Sequence, residues 1–437
     1  MANQKKLSHK LQKVAGKIQQ NRYMSAISNG LMSTLPFLII GAFATLFSAL
    51  AWEPYQNFIA PVKGIIGLAS TMTTGIIAVY AVFFIAYKLA QSFEKDPLVP
   101  AATALLSFLI VTPVQTFDKV RALPLEWLGA QGLFVAMFIA LAAARLYIWI
   151  VDRNWTIKMP EGVPPTVVKT FSGLIPAVLV ALVFVVVAGL FMQTSFGTVH
   201  KFIYTYLQVP LEGLGGSPGA LIIVLIIMQA LWMFGIHGAI VTLAIVKPIW
   251  MSLDLTNLDA FQAGAPLPNI IGLSFWYIYC NYAPMLGFAL LLVLLAKSKQ
   301  LRTIGKLGLP GTFFSIHEPL IFGIPVVLNP LLAIPFISAP IICAILGYAA
   351  TVIGLLPAPI GIYPAFGTPI FALGFIEGSW RLAAAQLVLI PVSMLIYYPF
   401  FRTLDKQAVK RELEAQEQEK QKQESATGTT ASSVISS

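Results

Sequence analysis

Apolar runs of about 20 residues, the length an α-helix needs to cross a hydrocarbon core, recur along the chain between short polar stretches. They fall at 27–50, 71–89, 100–117, 132–150, 171–191, 220–234, 270–296, 331–355 and 382–401. The pattern predicts an all-α polytopic membrane protein. Three other stretches are apolar but interrupted: 236–250, which opens Gly235-Ile236-His237-Gly238; 309–329; and 357–374, with Pro357, Pro359, Pro364 and Pro369. All three are too broken for ordinary spans. Irregular backbone at membrane depth is tolerated only where protein buries it or it lines an aqueous cavity. Transporters build substrate sites from such discontinuous helices, because helix ends and unwound carbonyls supply polar groups without burying charge. The broken stretches therefore predict a binding site.

Composition agrees: 57% of the 437 residues are apolar and 11% charged, against about 25% charged in an ordinary soluble protein. Two cysteines, Cys280 and Cys343, sit in separate apolar runs without metal or redox spacing and read as packing residues. The net charge of +10 gathers at the ends of the apolar runs and forms no common face, which argues against nucleic acid. With the N-terminus in the cytoplasm, the early inside segments hold 12 Lys and Arg and the outside segments 3. The positive-inside rule thus predicts a cytoplasmic membrane with the N-terminus inside.

Residues 1–22 show no cleavable signal peptide, so the first span is expected to stay in the mature chain. Leu7, Leu11, Val14 and Ile18 recur at helical spacing among lysines and predict a helix on an anionic membrane surface, with a plain solvated tail as the alternative. Residues 153–165 alternate and then break at Pro and Gly, predicting a short cytoplasmic hairpin. Residues 199–211 predict an interfacial linker between two membrane halves. From Asp405 a near balance of basic and acidic residues gives way to Ser, Thr and Gly, predicting a solvated helix running into disorder.

Between Asp259 and Glu377 the only acid is Glu318, in Phe313-Phe314-Ser315-Ile316-His317-Glu318-Pro319. An ionisable side chain at membrane depth is costly and is by default a functional hypothesis. The bland alternative pairs it with Arg302 or Lys306 to shape a loop. His237, between small residues that let backbone and ligand approach the ring, is the natural partner of Glu318; a satisfied core histidine is its alternative. Sugars stack apolar C–H faces on rings while their hydroxyls seek fixed polar partners. Trp232 and Phe366 are the rings best placed in sequence, although most aromatics of such a chain face lipid or core. No G-x-x-x-x-G-K-[ST] loop or HExxH spacing occurs, so neither ATP hydrolysis nor a metal cofactor is expected.

The stretches 153–165, Phe234-Gly235-Ile236-His237-Gly238, His317-Glu318-Pro319-Leu320-Ile321-Phe322-Gly323-Ile324-Pro325 and Asn329-Pro330 resemble the membrane-embedded sugar permease (IIC) component of the bacterial phosphotransferase system, lactose/cellobiose/diacetylchitobiose family. The similarity runs from about residue 20 to about 404. It implies a bacterial cytoplasmic membrane with both termini inside, ten transmembrane helices, a homodimer joined through the first half, two re-entrant hairpins around the sugar, and elevator-like movement of the second half. It also implies that His237 and Glu318 meet at the C6 hydroxyl of a β-linked disaccharide, which a phosphocysteine of a separate IIB protein, itself served by IIA, then phosphorylates. Gly235, Gly238, Asn281, Trp232 and Phe366 would line the sugar, as would His317 unless it merely follows the fold. Arg302 and Lys306 are candidate docking points for the partner's phosphate, with positive-inside anchoring as the alternative. The chain departs from the family where it reads Cys280-Asn281-Tyr282-Ala283-Pro284 and Pro364-Ala365-Phe366-Gly367-Thr368-Pro369; Phe for Trp keeps a stacking face and loses one donor.

The organisation expected is a surface segment (1–22), an interface half (23–198), a connector (199–217), a sugar-binding half (218–404) and a cytoplasmic tail (405–437). The chain would be the membrane component of a sugar phosphotransferase. A proton-coupled secondary sugar transporter using Glu318 and His237 is the rival reading, and a non-transporting sugar sensor has less support because no output domain is visible.

Overall fold

The computed structural model describes residues 16–17, 20–49, 53–117, 119–160, 162–324, 326, 329–362 and 367–434. The surface helix expected around Leu7, Leu11, Val14 and Ile18 lies outside the described residues, as does Phe366. The chain is an all-α polytopic membrane protein. Among the described residues seven helices are long and apolar enough to cross a membrane, or nine if each of two bent pairs is one span. Reaching ten requires the shorter apolar helix Leu98–Val111 as well.

The first bent pair, Arg22–Ser33 and Leu35–Ser48, turns by 41°. Asn21 starts it, its side-chain oxygen accepting from the Tyr23 and Met24 N–H groups. Pro36, with no N–H to give, accounts for the break that follows. This pair packs on Ile77–Ser92, so closely that a Cβ at Gly30 would lie 2.5 Å from the Ile85 side chain. Helices Ile77–Ser92, Leu98–Val111 and Leu133–Asp152 meet through fully buried Ala78, Ala81, Ala104, Ala140 and Ala144. Small residues permit this approach, which substitutes for the hydrophobic drive absent in lipid.

Four sequence expectations are corrected. The third apolar run ends as a helix at Val111, not near 117, because Thr112 is extended (φ −74°, ψ 127°) ahead of Pro113. The strand pair lies beyond it, with Gln115–Phe117 antiparallel to Val120–Ala122. No strand occurs among the described residues of 153–165, where Pro160, Pro164 and Pro165 have no N–H for a ladder. The stretch 236–250 is not a broken span: only Gly235–His237 interrupt it, and a helix runs unbroken over Gly238–Gln262 with Pro248 inside. The linker from Val199 is helical through Gly215, with a π-helical turn at Tyr204–Gln208, and it is not wholly interfacial. Val199, His200 and Ile203 are buried, His200 against the rings of Phe108 and Trp127.

The stretch 309–329 is broken as expected. Helix Lys299–Phe313 stops at a turn in which Ser315 adopts φ +65°, and a short helix, Glu318–Gly323, follows with Pro319 in its first turn. The start of Lys299–Phe313 is tied to the last helix, Trp380–Val434. Asp405 accepts from the Lys297 and Ser298 N–H groups, and Glu412 from Ser298 Oγ and the Gln300 and Lys299 N–H groups. Those donors, the Gln300 N–H first, hold the Glu412 carboxyl below its usual range. Around 357–374 no helix forms before Ile370–Ile376 among the described residues.

Candidate functional site

Helix Pro218–Met233 ends in a tight reversal, with Gly235 at φ +76°, and His237 then caps helix Gly238–Gln262. Gly238 is required by packing: a Cβ there would lie 1.8 Å from the Met228 carbonyl oxygen. The reversal fixes the His237 ring. Its Nδ1 accepts the Ile240 N–H at 3.3 Å, and since a backbone N–H can only donate, the neutral ring carries its proton on Nε2. Nε2 faces Glu318 Oε1 at 3.5 Å. The gap is long for a hydrogen bond, and both atoms keep capacity for a third oxygen placed beside them on the cavity side.

Glu318 comes from the other side, at the first turn of its short helix. Its ion-pair contact is His237; the alternative, pairing with Arg302 or Lys306, is not what the structure has. Both Glu318 and His237 keep partial exposure, and they open on a cavity of about 510 Å³. Trp232 backs the pair, its ring 4.2 Å from the imidazole and edge-on to Phe322 at 6.1 Å.

A π-helical turn at Trp276–Asn281 displaces one residue of the Leu273–Leu295 crossing and brings Asn281 to the cavity. The Asn281 amide donates to Ser315 Oγ, which ties the turn before Glu318 to this helix. A non-glycine residue held in the left-handed region costs on the order of 1–3 kcal/mol and persists where its surroundings over-determine it. His317 also faces the cavity, and its carbonyl accepts from the Leu320 and Ile321 N–H groups, closing the short helix.

The structure thus brings together Glu318, His237, Trp232, His317 and Asn281. Gly235 and Gly238 do not line the cavity; they act through the backbone, one by its positive φ and one by close approach. Arg302 and Lys306 are exposed on the Lys299–Phe313 helix, away from the cavity. Ser315, Asn29 and Lys247 line it and were not singled out from the sequence. Asn29 and Lys247 were visible as polar residues in apolar runs; the role of Ser315 depends on a turn geometry that sequence does not report.

Three comparisons bear on what this arrangement belongs to. The family model for the phosphotransferase system, EIIC, matches residues 28–340. The oligo-beta-mannoside-specific EIIC component of Bacillus subtilis is 35% identical, over 94% of this chain and 96% of its own length. The cellobiose-specific EIIC component of Geobacillus stearothermophilus is 34% identical, over 93% and 95%. The solved structure of the transporter ChbC, the IIC component of the N,N'-diacetylchitobiose-specific phosphotransferase system, superposes with a TM-score of 0.85 at 36% identity, covering 92% of this chain and 97% of that one. With a family match over most of its length, and relatives of this identity aligned almost end to end, the chain belongs to the EIIC family of the phosphotransferase system.

Proposed function

We propose that the chain is the IIC permease for a β-linked disaccharide of the cellobiose, chitobiose or mannoside type. It holds the sugar's C6 hydroxyl against Glu318 and His237, on their cavity side, and presents it to the phosphocysteine of a IIB partner. The observation that carries this reading is the 3.5 Å facing of Glu318 Oε1 and His237 Nε2 at the wall of a cavity of about 510 Å³. That size suits a small ligand, since such sites run to about 300–1,000 Å³. The relatives named for oligo-β-mannosides and cellobiose support the substrate class.

A sugar hydroxyl is a weak nucleophile. As its oxygen attacks the phosphorus, the O–H proton passes to the Glu318 carboxylate, the P–O bond forms, and the P–S bond breaks to release the cysteine thiolate. General-base help of this kind contributes about 10²–10⁴-fold. His237 Nε2–H donates to the same hydroxyl and orients it, while Trp232 holds the imidazole plane. The product carries about two more negative charges, and Glu318 repels them. Trapping of the sugar inside follows from that repulsion.

In this reading both termini are cytoplasmic, the first half (23–198) forms a homodimer, and the second half (218–404) moves the sugar as an elevator. Arg302 and Lys306, exposed at the base of the hairpin helix, receive the partner's phosphate. The test is Glu318→Gln, which keeps the size of the side chain and removes the base. Purified variant with phosphorylated IIB is expected to bind sugar more weakly and to form no sugar phosphate; phosphorylation at the wild-type rate would remove Glu318 from the mechanism.

A further inference from the structure

Outside the cavity lining are two more carboxyls, Asp254 and Glu377, which are 4% and 1% exposed. They join three parts of the second half. Asp254, on the Gly238–Gln262 helix, accepts from the N–H and hydroxyl of Ser274 at 2.9 and 3.1 Å. Glu377, after the Ile370–Ile376 helix, accepts from the Gly361 and Ile362 N–H groups on one oxygen, Oε2, at 3.0 and 3.3 Å. The two sites adjoin: Gly361, which donates to Glu377, packs on the Asp254 backbone, and Ser274 Oγ, which donates to Asp254, also reaches the Ile362 carbonyl.

Their surroundings leave no room for adjustment. A Cβ at Gly361 (φ +90°) would sit 2.0 Å from the Asp254 carbonyl oxygen, and one at Gly272 would sit 2.0 Å from Asp254 Oδ1. One turn along, Asn257 Nδ2 donates to the Asn269 and Pro359 carbonyls. These contacts fasten the non-helical stretch 357–362, which leads to Gly367 at the cavity wall and to Thr368, whose carbonyl accepts the Tyr282 hydroxyl.

Neither carboxyl has a cationic partner among the described residues. Besides the two acids, the titratable group facing Glu377 is Tyr279, a phenol that is uncharged at neutral pH. Two unpaired carboxylates in one buried site cannot both ionise. The hydrogen bonds distinguish them. Asp254 receives donors from Ser274, whereas Glu377 Oε1 is buried with no partner at all. An oxygen with no donor around it is where a proton is retained, because nothing there stabilises a negative charge.

We infer that Asp254 and Glu377 form a buried acid pair that binds one proton, held on Glu377 Oε1, and that the protonated pair staples in place the 357–362 stretch that leads to the sugar cavity. Both are positioning residues, since neither reaches the cavity. Removing the proton leaves two facing charges in a buried site, so the hold is complete at low pH and weakens by repulsion as rising pH removes the proton.

Glu377→Gln is the matched replacement: its carbonyl accepts the Gly361 and Ile362 N–H groups and its NH₂ stands where the O–H was. The infrared spectrum of the purified full chain is expected to contain a protonated-carboxyl C=O band that Glu377→Gln removes. That readout does not depend on the phosphotransfer reading. Sugar affinity of the wild type is expected to fall about tenfold on alkaline titration, the size of one net hydrogen bond, while Glu377→Gln holds its affinity flat over the same range. Glu377→Ala, measured at one pH, is expected to lose a similar factor. An infrared spectrum without the band, a band unchanged in Glu377→Gln, or the same alkaline loss in that variant would each overturn the proposal. So would a sodium-dependent affinity in place of the pH-dependent one, which would make the pair a cation site.

Discussion

His237 works through both ring nitrogens, and substitution can separate them. Nδ1 caps a helix and Nε2 faces Glu318. In His237→Asn the amide oxygen still accepts the Ile240 N–H, so thermal stability in detergent is expected to stay near the wild type while sugar affinity falls about tenfold. His237→Ala loses the cap as well, at about 1 kcal/mol of stability; equal destabilisation in both variants would contradict the division of labour. The pair itself was legible, because a titratable residue in an apolar run must be justified by function or partnership. The flanking glycines were misread. A missing side chain in a sequence leaves open whether a ligand or a neighbouring backbone fills its place, and at Gly238 it is the Met228 carbonyl. Asp254 and Glu377 escaped notice for a related reason, since their partners come from stretches about 20 and 15 residues away along the chain.

At the level of helices, the long apolar runs translated almost directly into crossings, since few structures satisfy backbone hydrogen bonds in lipid. Boundaries were less legible where one residue decided them. Pro113 forces Thr112 out of the helical region and shortens a span, whereas Pro248 is absorbed within a continuous helix. The difference lies in context: Pro248 is held inside a helix buried on much of its surface, and Thr112 stands where the chain turns to a strand pair. The approach of Gly238–Gln262 to Pro218–Met233 is the element contact that sets His237. Gly238→Ala must push these helices apart, and the expected cost is about 1–3 kcal/mol. A lowered unfolding temperature with weakened sugar binding is the predicted pair of results; an unaltered temperature would mean that the reversal at Gly235 can relax.

Over the whole molecule, buried side chains gather in one cluster drawn chiefly from residues before 204 and others drawn from residues after 220. Apolar packing joins them at Met251, Leu255 and around Ala42, and polar contacts bridge them as well. Gln262 donates to Thr45, Ser70 and Thr74, and Gln208 links the Ala130 carbonyl to Ser252. The cavity also draws Ser28 and Asn29 from the first half. Under the proposed elevator movement these bridges would have to break, and hydrogen bonds are easier to exchange than interlocked apolar packing. The apolar runs made the order of the main helices readable, but the bridges could not be read, because each joins residues that only the assembled fold brings together. Whether movement is coupled to phosphorylation or to protons is decided by what accumulates. In proteoliposomes supplied with phosphorylated IIB, the disaccharide is predicted to appear inside only as its 6-phosphate, and only while Glu318 is intact. Accumulation of unmodified sugar driven by a pH gradient without IIB would contradict the account.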